Sequence, residues 1–483
     1  MRGLLVAAAA AVVLIVAPAT RAGGPGLIVG AAEDDVNDTT VAQAQARLDL
    51  LKLGGLDAIR VTSIWDPASP NPSADEVMRL QNLAAAAKLD AIDVYVSVYN
   101  AGSKTTPLSD DDQTSFAKHA ADLARAVPDI KNFVIGNEPN INRFWLPQFN
   151  PDGSDAAAPA YLSLLARTYS ALKAVDPSIE IYGGAVSPRG IDRPGTGRDT
   201  HSPGTFIKDL GAAYKTSGLT GPVMDAFVFH PYPENSMVPP TLAHPNTTQA
   251  LGLADYAKLV SALGAAFDGT GQPGSTLPIL YGEYGIETQI PAAKASEYTG
   301  TEPSTTKPAP ETTQGSYYRE AMAMAFCQPN VVGLLIFHAF DEPALDRFQS
   351  GIYYRDLTPK SSLVTVRDAA RDVHGGVIAK CQGLELTPTA KVAYPRIASI
   401  AAGTAALGVT CDIDCSVFAR LEKLPKHSTT LVVRASAEAG ERTLARFPQR
   451  KLAPGRYRFT VSLSAPVNKG KPLAVVSSPL TLR

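Results

Sequence analysis

Only four cysteines and two tryptophans occur among 483 residues, and each scarcity excludes something. Four cysteines cannot frame a chain of this length as a disulfide scaffold; they can add only local bridges. Long apolar runs are lacking too. The longest, Leu4 to Ala17, ends at Pro18 and falls short of the roughly 20 apolar residues that span a bilayer. Net charge is almost absent, with 44 Lys+Arg against 46 Asp+Glu. That balance argues against a nucleic-acid partner, because such proteins carry clustered excess basic charge. Several motifs are missing: a Gly-x-Ser-x-Gly elbow, a His-Glu-x-x-His helix, a phosphate loop closing on Gly-Lys-Ser/Thr, and Gly-x-Gly-x-x-Gly after the first strand-like run. The seven histidines offer no ligand pair at helical spacing, so no metal is expected; a metal-dependent hydrolase, with ligands drawn from separate strands, is the weaker enzyme alternative.

What is present begins with Arg2, the apolar run and the small residues Ala19, Thr20 and Ala22. That order predicts a secretory signal peptide over residues 1–22, cleaved near Ala19 or Ala22, and hence a secreted protein with no transmembrane segment in its mature form. The four cysteines allow three pairings; the local one, Cys411 with Cys415, leaves Cys327 with Cys381 and is the expectation. The near-zero charge conceals a split. Residues 384–483 hold 15 Lys/Arg against 6 Asp/Glu, a charge of +9, whereas residues 23–383 hold 27 against 40, a charge of −13.

Between residues 26 and 380, short β-branched runs alternate with amphipathic stretches whose apolar residues recur every three to four positions. The strand-like runs are 26–31, 57–65, 91–99, 132–138, 179–185, 225–232, 278–285 and 331–340. Eight strand-then-helix units predict an α/β fold, a (β/α)8 TIM barrel over residues 23–383 with its site at the C-terminal strand ends. The longest connection, about 286–314, is expected to edge that site. After Cys381 the helical periodicity stops and short alternating runs at 429–437, 455–465 and 472–483 predict an all-β sandwich over residues 384–483.

Two runs close on a carboxylate: the fourth as Gly136-Asn137-Glu138-Pro139-Asn140 and the seventh as Tyr281-Gly282-Glu283-Tyr284-Gly285. Strands four and seven lie across a barrel from each other, so the two side chains can converge over its mouth. A carboxylate pair about 5–5.5 Å apart is what retaining glycoside hydrolysis needs, one as proton donor and one as nucleophile. On these residues the chain resembles the clan A glycoside hydrolases. Its Asn-Glu-Pro-Asn segment is similar to family 39, and His230-Pro231-Tyr232 with Arg60 resemble family 5. The resemblance implies Glu138 as acid/base, Glu283 as nucleophile, Asn137 on the sugar hydroxyl beside the anomeric carbon, Tyr232 orienting the nucleophile, His230 holding substrate or acid/base, and Arg60 keeping Glu283 ionised. It also implies a carbohydrate substrate and no cofactor.

The chain departs from the clan pattern twice. The eighth run ends in Phe337-His338 where many members carry a Trp under the sugar, and Gly136 replaces a bulky aromatic, which is expected to widen the pocket. Trp145 and Trp65 both follow strand ends and are read as sugar-stacking or packing residues, with Trp145 and His338 taken as substrate-binding. Asp34, Asp35 and Asn100 are read as subsite groups or loop caps; Glu287, Asp341 and Glu342 rank below the two chosen glutamates. Tyr394, Phe418, Phe447, Tyr457 and Phe459 sit at core spacings, so the C-terminal domain is expected to brace the barrel, its charge favouring an acidic cell surface only weakly in salt. A catalytically silent carbohydrate-binding or cell-envelope protein on the same barrel is the alternative reading.

Overall fold

The structure, a computed structural model, describes residues 23–482; the expected signal peptide, residues 1–22, lies outside them. Eight parallel strands, β1 (Ile28–Ala32), β2 (Ala58–Trp65), β3 (Asp93–Asn100), β4 (Asn132–Ile135), β5 (Glu180–Val186), β6 (Ala226–Phe229), β7 (Ile279–Tyr284) and β8 (Val331–Phe337), form a closed barrel in which β1 pairs with β8. The helices between them are α1 (Val41–Leu53), α2 (Ala74–Asp90), α3 (Asp110–Ala126), α4 (Ala157–Val175), α5 (Pro203–Thr216), α6 (Tyr256–Phe267), α7 (Glu311–Phe326) and α8 (Ser362–His374). The expected TIM barrel is therefore present. Serine caps start two of the helices: Ser73 accepts from the Glu76 N–H, and Ser109 from that of Asp112 ahead of three aspartates that complement the helix dipole.

The strands are apolar on both faces because both are covered. One set of side chains, including Ile28, Ala58, Tyr95, Val134, Val228 and Leu280, meets inside the barrel. The other set, including Val29, Ile59, Phe133, Phe227 and Tyr281, packs under the helices. This alternation aims the functional side chains. Two residues beyond Ala58 comes Arg60, and two beyond Val228 comes His230, so both turn inward. Strict alternation would instead send Glu283 outward with Tyr281. A register shift prevents this: Tyr281 pairs with Leu334 and Tyr284 with Ile336, three residues opposite two, so the extra residue lets Glu283 face the mouth.

The C-terminal region forms two antiparallel sheets. One has the order β13 (Arg442–Arg446), β10 (Ala406–Cys411), β9 (Ala390–Ala393); the other has the order β12 (Ser428–Ala437), β11 (Cys415–Lys423), β14 (Gly455–Ser464), β15 (Leu473–Val476), with β16 (Leu480–Leu482) also on β14. Leu407, Val409, Leu421, Tyr457 and Phe459 fill the space between the sheets. This is the expected sandwich, although the run at 472–483 divides into two short strands and the strands before residue 429 were not foreseen. Phe447, Tyr457 and Phe459 are core, and Tyr394 stacks on Phe459 with centroids 5.9 Å apart. Phe418 departs from expectation, facing outward and half-buried.

The cysteines pair as expected. Cys411–Cys415 joins the end of β10 to the start of β11 and so links the two sheets. Cys327–Cys381 ties the end of α7 to the segment leading into the sandwich, where the Cys381 N–H donates to Asn468 Oδ1 at 2.8 Å. Closing a sequence separation of 54 residues removes chain entropy from the unfolded state worth about 4 kcal/mol. Replacing both Cys327 and Cys381 with Ala should lower unfolding free energy by about that amount in a urea titration. A loss below about 1 kcal/mol would show that the bridge hardly constrains the unfolded chain.

Candidate active site

Glu138 reaches the mouth through a distorted turn. Beyond β4 the backbone takes φ +85 at Gly136 and φ +43 at Glu138, and the Glu138 N–H donates to Ala185 O at 2.8 Å. A non-glycine residue at positive φ costs backbone energy and is held there by its surroundings. A Cβ on Gly136 would come within 2.8 Å of the Tyr161 ring, whose hydroxyl donates to Ile135 O and accepts from the Gly184 N–H. Gly136 is thus set by the turn and by Tyr161 beneath it, which corrects the expectation that it widens the sugar pocket.

Glu283 stands opposite, buried, with both oxygens engaged. Oε1 is paired with Arg60 Nη2, and Oε2 accepts from the Tyr232 hydroxyl at 2.8 Å. His230 lies between the two carboxylates, its Nδ1 3.3 Å from Glu138 Oε1 and 3.6 Å from Glu283 Oε2. One oxygen of each glutamate and a ring nitrogen of His230 fall within 4.8 Å of one another. Gly282 makes room for the ring, since a Cβ there would sit 3.2 Å from His230 Nε2. Burial alone would raise the Glu283 pKa; His230, the Arg60 guanidinium and the Tyr232 hydroxyl bond outweigh it and hold the carboxyl below its ordinary value. Burial also drives the Tyr232 phenol well above its ordinary value, with Glu283 adding to the rise, so the hydroxyl stays a donor.

Asn137 is half-buried beside Glu138, and its amide makes no hydrogen bond among the described residues, leaving it open to a ligand. His338 is fixed by its Nδ1–H, which donates to Ala32 O at 2.7 Å, and its Nε2 lies 4.0 Å from Glu342 Oε2. Phe337 packs edge-on to Tyr232 with centroids 6.0 Å apart, and edge-on to Phe348.

Trp145 is the correction among the substrate-binding residues. It is 1% exposed and edge-on to Tyr161, so no ring face is available to a sugar. Trp65, also 1% exposed, packs on Phe116. Asn100, Asp34 and Asp35 are loop ties: Asn100 donates to Gly102 O and Phe144 O, Asp34 accepts from the Thr62 N–H, and Asp35 pairs with Arg355. Asp341 is fully buried in an ion pair with Lys360, whose ammonium also donates to Thr288 Oγ1 and Gln349 O.

Three groups near the mouth were missed. Arg189, just beyond β5, is half-buried and donates to Tyr232 O at 3.0 Å; burial lowers its pKa against the pull of Glu234 and Glu138. Glu33 closes β1, accepts from the N–H groups of Asp35 and Phe340, and is pushed by burial to about 7, with His338 pulling the other way. Tyr99 on β3 lies near Arg60, its pKa raised by burial. Glu33 directly follows β1 as a polar strand-end residue, and Arg189 lies three residues beyond β5, so strand-end position in the sequence marks both.

Among the described residues two clusters have the spacing of metal ligands, Glu138–His230–Glu283 and Asp155–His201–Asp209. In the first, Arg60 and Tyr232 already hold both oxygens of Glu283, donors that suit an ionised carboxylate better than a bound cation. In the second, Asp155 Oδ1 caps α4 by accepting the Ala158 N–H, which places the helix's positive end where a cation would sit.

The loop after β7 carries a pH-dependent contact. Glu287 is raised to about 8, by burial first, then by Glu302 beside it. A carboxyl that titrates near its ordinary 4.5 when unfolded and near 8 when folded favours the native state below 4.5 and loses that advantage as pH climbs to about 8. Glu287→Gln should therefore match the wild type in melting temperature at pH 4 and exceed it increasingly up to pH 9, by free energies on the order of a few kcal/mol. A gap independent of pH would rule this titration out.

No family model and no curated relative matches the sequence. Solved structures do share the fold. A family 39 glycoside hydrolase from Bacteroides cellulosilyticus WH2 superposes with a TM-score of 0.51 at 15% identity, covering 95% of this chain and 80% of that one. A GH5_18 enzyme from Streptomyces cattleya, solved with GlcNAc, gives 0.50 at 16% identity over 76% of this chain and 84% of that one. The barrel is thus one that glycoside hydrolases of families 39 and 5 use, which bears out the clan A resemblance at the level of fold.

Proposed function

We propose that this chain is a secreted retaining glycoside hydrolase acting on O-glycosidic bonds of an oligo- or polysaccharide. The observation that carries the reading is the approach of one Glu138 oxygen and one Glu283 oxygen to within 4.8 Å. Inverting enzymes hold their carboxyl groups roughly 6.5–9.5 Å apart to admit a water between them. Sharing the fold of two glycoside hydrolases supports the reaction class.

In the first step the Glu283 carboxylate attacks the anomeric carbon while protonated Glu138 gives its proton to the departing oxygen. Arg60 and Tyr232 keep Glu283 ionised and aimed. The resulting ester carries no charge, so the field that Glu138 feels changes and its carboxylate becomes a base. It then takes a proton from water, whose oxygen attacks the same carbon and releases Glu283. Each face of the sugar is used once, and the anomeric configuration is retained.

The first test is a panel of aryl glycosides with the full secreted protein. Turnover of one configuration is expected; binding on a glycan array with no turnover across the panel would favour the silent carbohydrate-binding protein instead. Tyr232→Phe should lower kcat by about tenfold, the worth of one hydrogen bond to a charged group, with KM nearly unchanged. An unaltered kcat would remove Tyr232 from the reaction.

A further inference from the structure

The outer face of the β12-β11-β14-β15 sheet is built unlike a brace. Its strands are in register, so outward side chains form rows across it. Phe418 is paired with Arg434 on one side and Ser462 on the other; one row along, Ser416 is paired with Ser436 and Ser464. These residues line one shallow groove. The Arg434 guanidinium lies over the Phe418 ring, 4.8 Å from its centroid, and Arg420 lies 5.9 Å from the same ring. Arg434 is exposed and makes no ion pair or hydrogen bond among the described residues.

An arginine stacked on an aromatic ring is held in one plane while the N–H groups at its edge stay free, the geometry that takes a carboxylate through two parallel bonds. Beside it the serine hydroxyls both donate and accept, as sugar hydroxyls do. Within these four strands the acid, Glu422, is already claimed by Arg420, Arg458 and His427. The charge these strands carry is therefore positive, in keeping with the +9 of residues 384–483 and opposite to the −13 of residues 23–383.

We propose that this face is a binding site for an acidic polysaccharide, with Arg434 oriented by Phe418 to hold a uronate carboxylate and Ser416, Ser436, Ser462 and Ser464 bonding neighbouring hydroxyls. Charge complementarity selects the partner. A neutral glycan leaves the Arg434 guanidinium unused, and a phosphodiester backbone offers only acceptors to the serines.

Affinity electrophoresis of the full-length protein through gels containing polygalacturonate tests this, with its fully methyl-esterified form as a neutral polymer on the same backbone. Polygalacturonate should retard the wild type at low salt, and the ester should not. Arg434→Ser should weaken retardation about tenfold, as for loss of a charge-assisted pair. Lys391→Ser, which removes the same charge from the opposite sheet, should cost little; both side chains are exposed, and unchanged melting temperatures would verify folding. Equal losses in the two variants, equal retardation by the ester, or retardation by double-stranded DNA as strong as by polygalacturonate would each overturn the site. Binding to phosphatidylglycerol vesicles that Arg434→Ser abolishes, without retention by polygalacturonate, would assign the face to a membrane and overturn it too.

Discussion

Glu283→Ala should leave turnover of an activated aryl glycoside reduced about 10⁴-fold or more, and added azide should restore a large part of it. On the proposed mechanism, removing the carboxylate removes the group that attacks the anomeric carbon. It also vacates a space that a small anion can enter beside Arg60. Azide attack there gives a glycosyl azide of opposite anomeric configuration to the substrate. The same substitution strands the buried Arg60 guanidinium, and breaking a buried ion pair typically costs about 3–5 kcal/mol. A variant that has merely unfolded is not rescued by azide, so rescue separates lost chemistry from lost structure. Glu283→Gln keeps the volume and an oxygen that can accept from Arg60, and serves as a second variant, inactive and less destabilised than Glu283→Ala. Near-normal activity in both would remove Glu283 from the mechanism.

The effect of Glu138→Ala should depend on the leaving group. A dinitrophenolate departs without a proton, so the first step survives; the second, which needs a base, slows. The expected record is a burst of dinitrophenol followed by slow turnover, with kcat/KM close to the wild type. For an alkyl or sugar leaving group the first step also needs the proton, and kcat/KM should fall by about 10²–10⁴-fold, the usual worth of general acid catalysis. A uniform loss across leaving groups would make Glu138 a binding or structural residue instead.

Much of this site was legible because a barrel presents its chemistry at the ends of strands, and strand ends can be counted. Arg60 and His230 follow from alternation alone. Glu283 does not: its inward direction depends on the bulge between Tyr281 and Tyr284, which no local residue type announces. Trp145 misled because following a strand end says nothing about which way a loop folds back, and this one buries the indole against Tyr161. Phe418 misled in the opposite sense. An alternating run shows that one face is inside but leaves the choice of face to the partner strands. Arg189 and Glu33 match no carboxylate-pair motif, although both stand at or just beyond strand ends, where that position alone marks them.

The measurement closest to the central claim is the anomeric configuration of the first-formed product, followed by proton NMR before mutarotation scrambles it. Two displacements at one carbon, by Glu283 and then by water activated at Glu138, predict a product with the configuration of the substrate. An initial product of inverted configuration would contradict the account, whatever the rate.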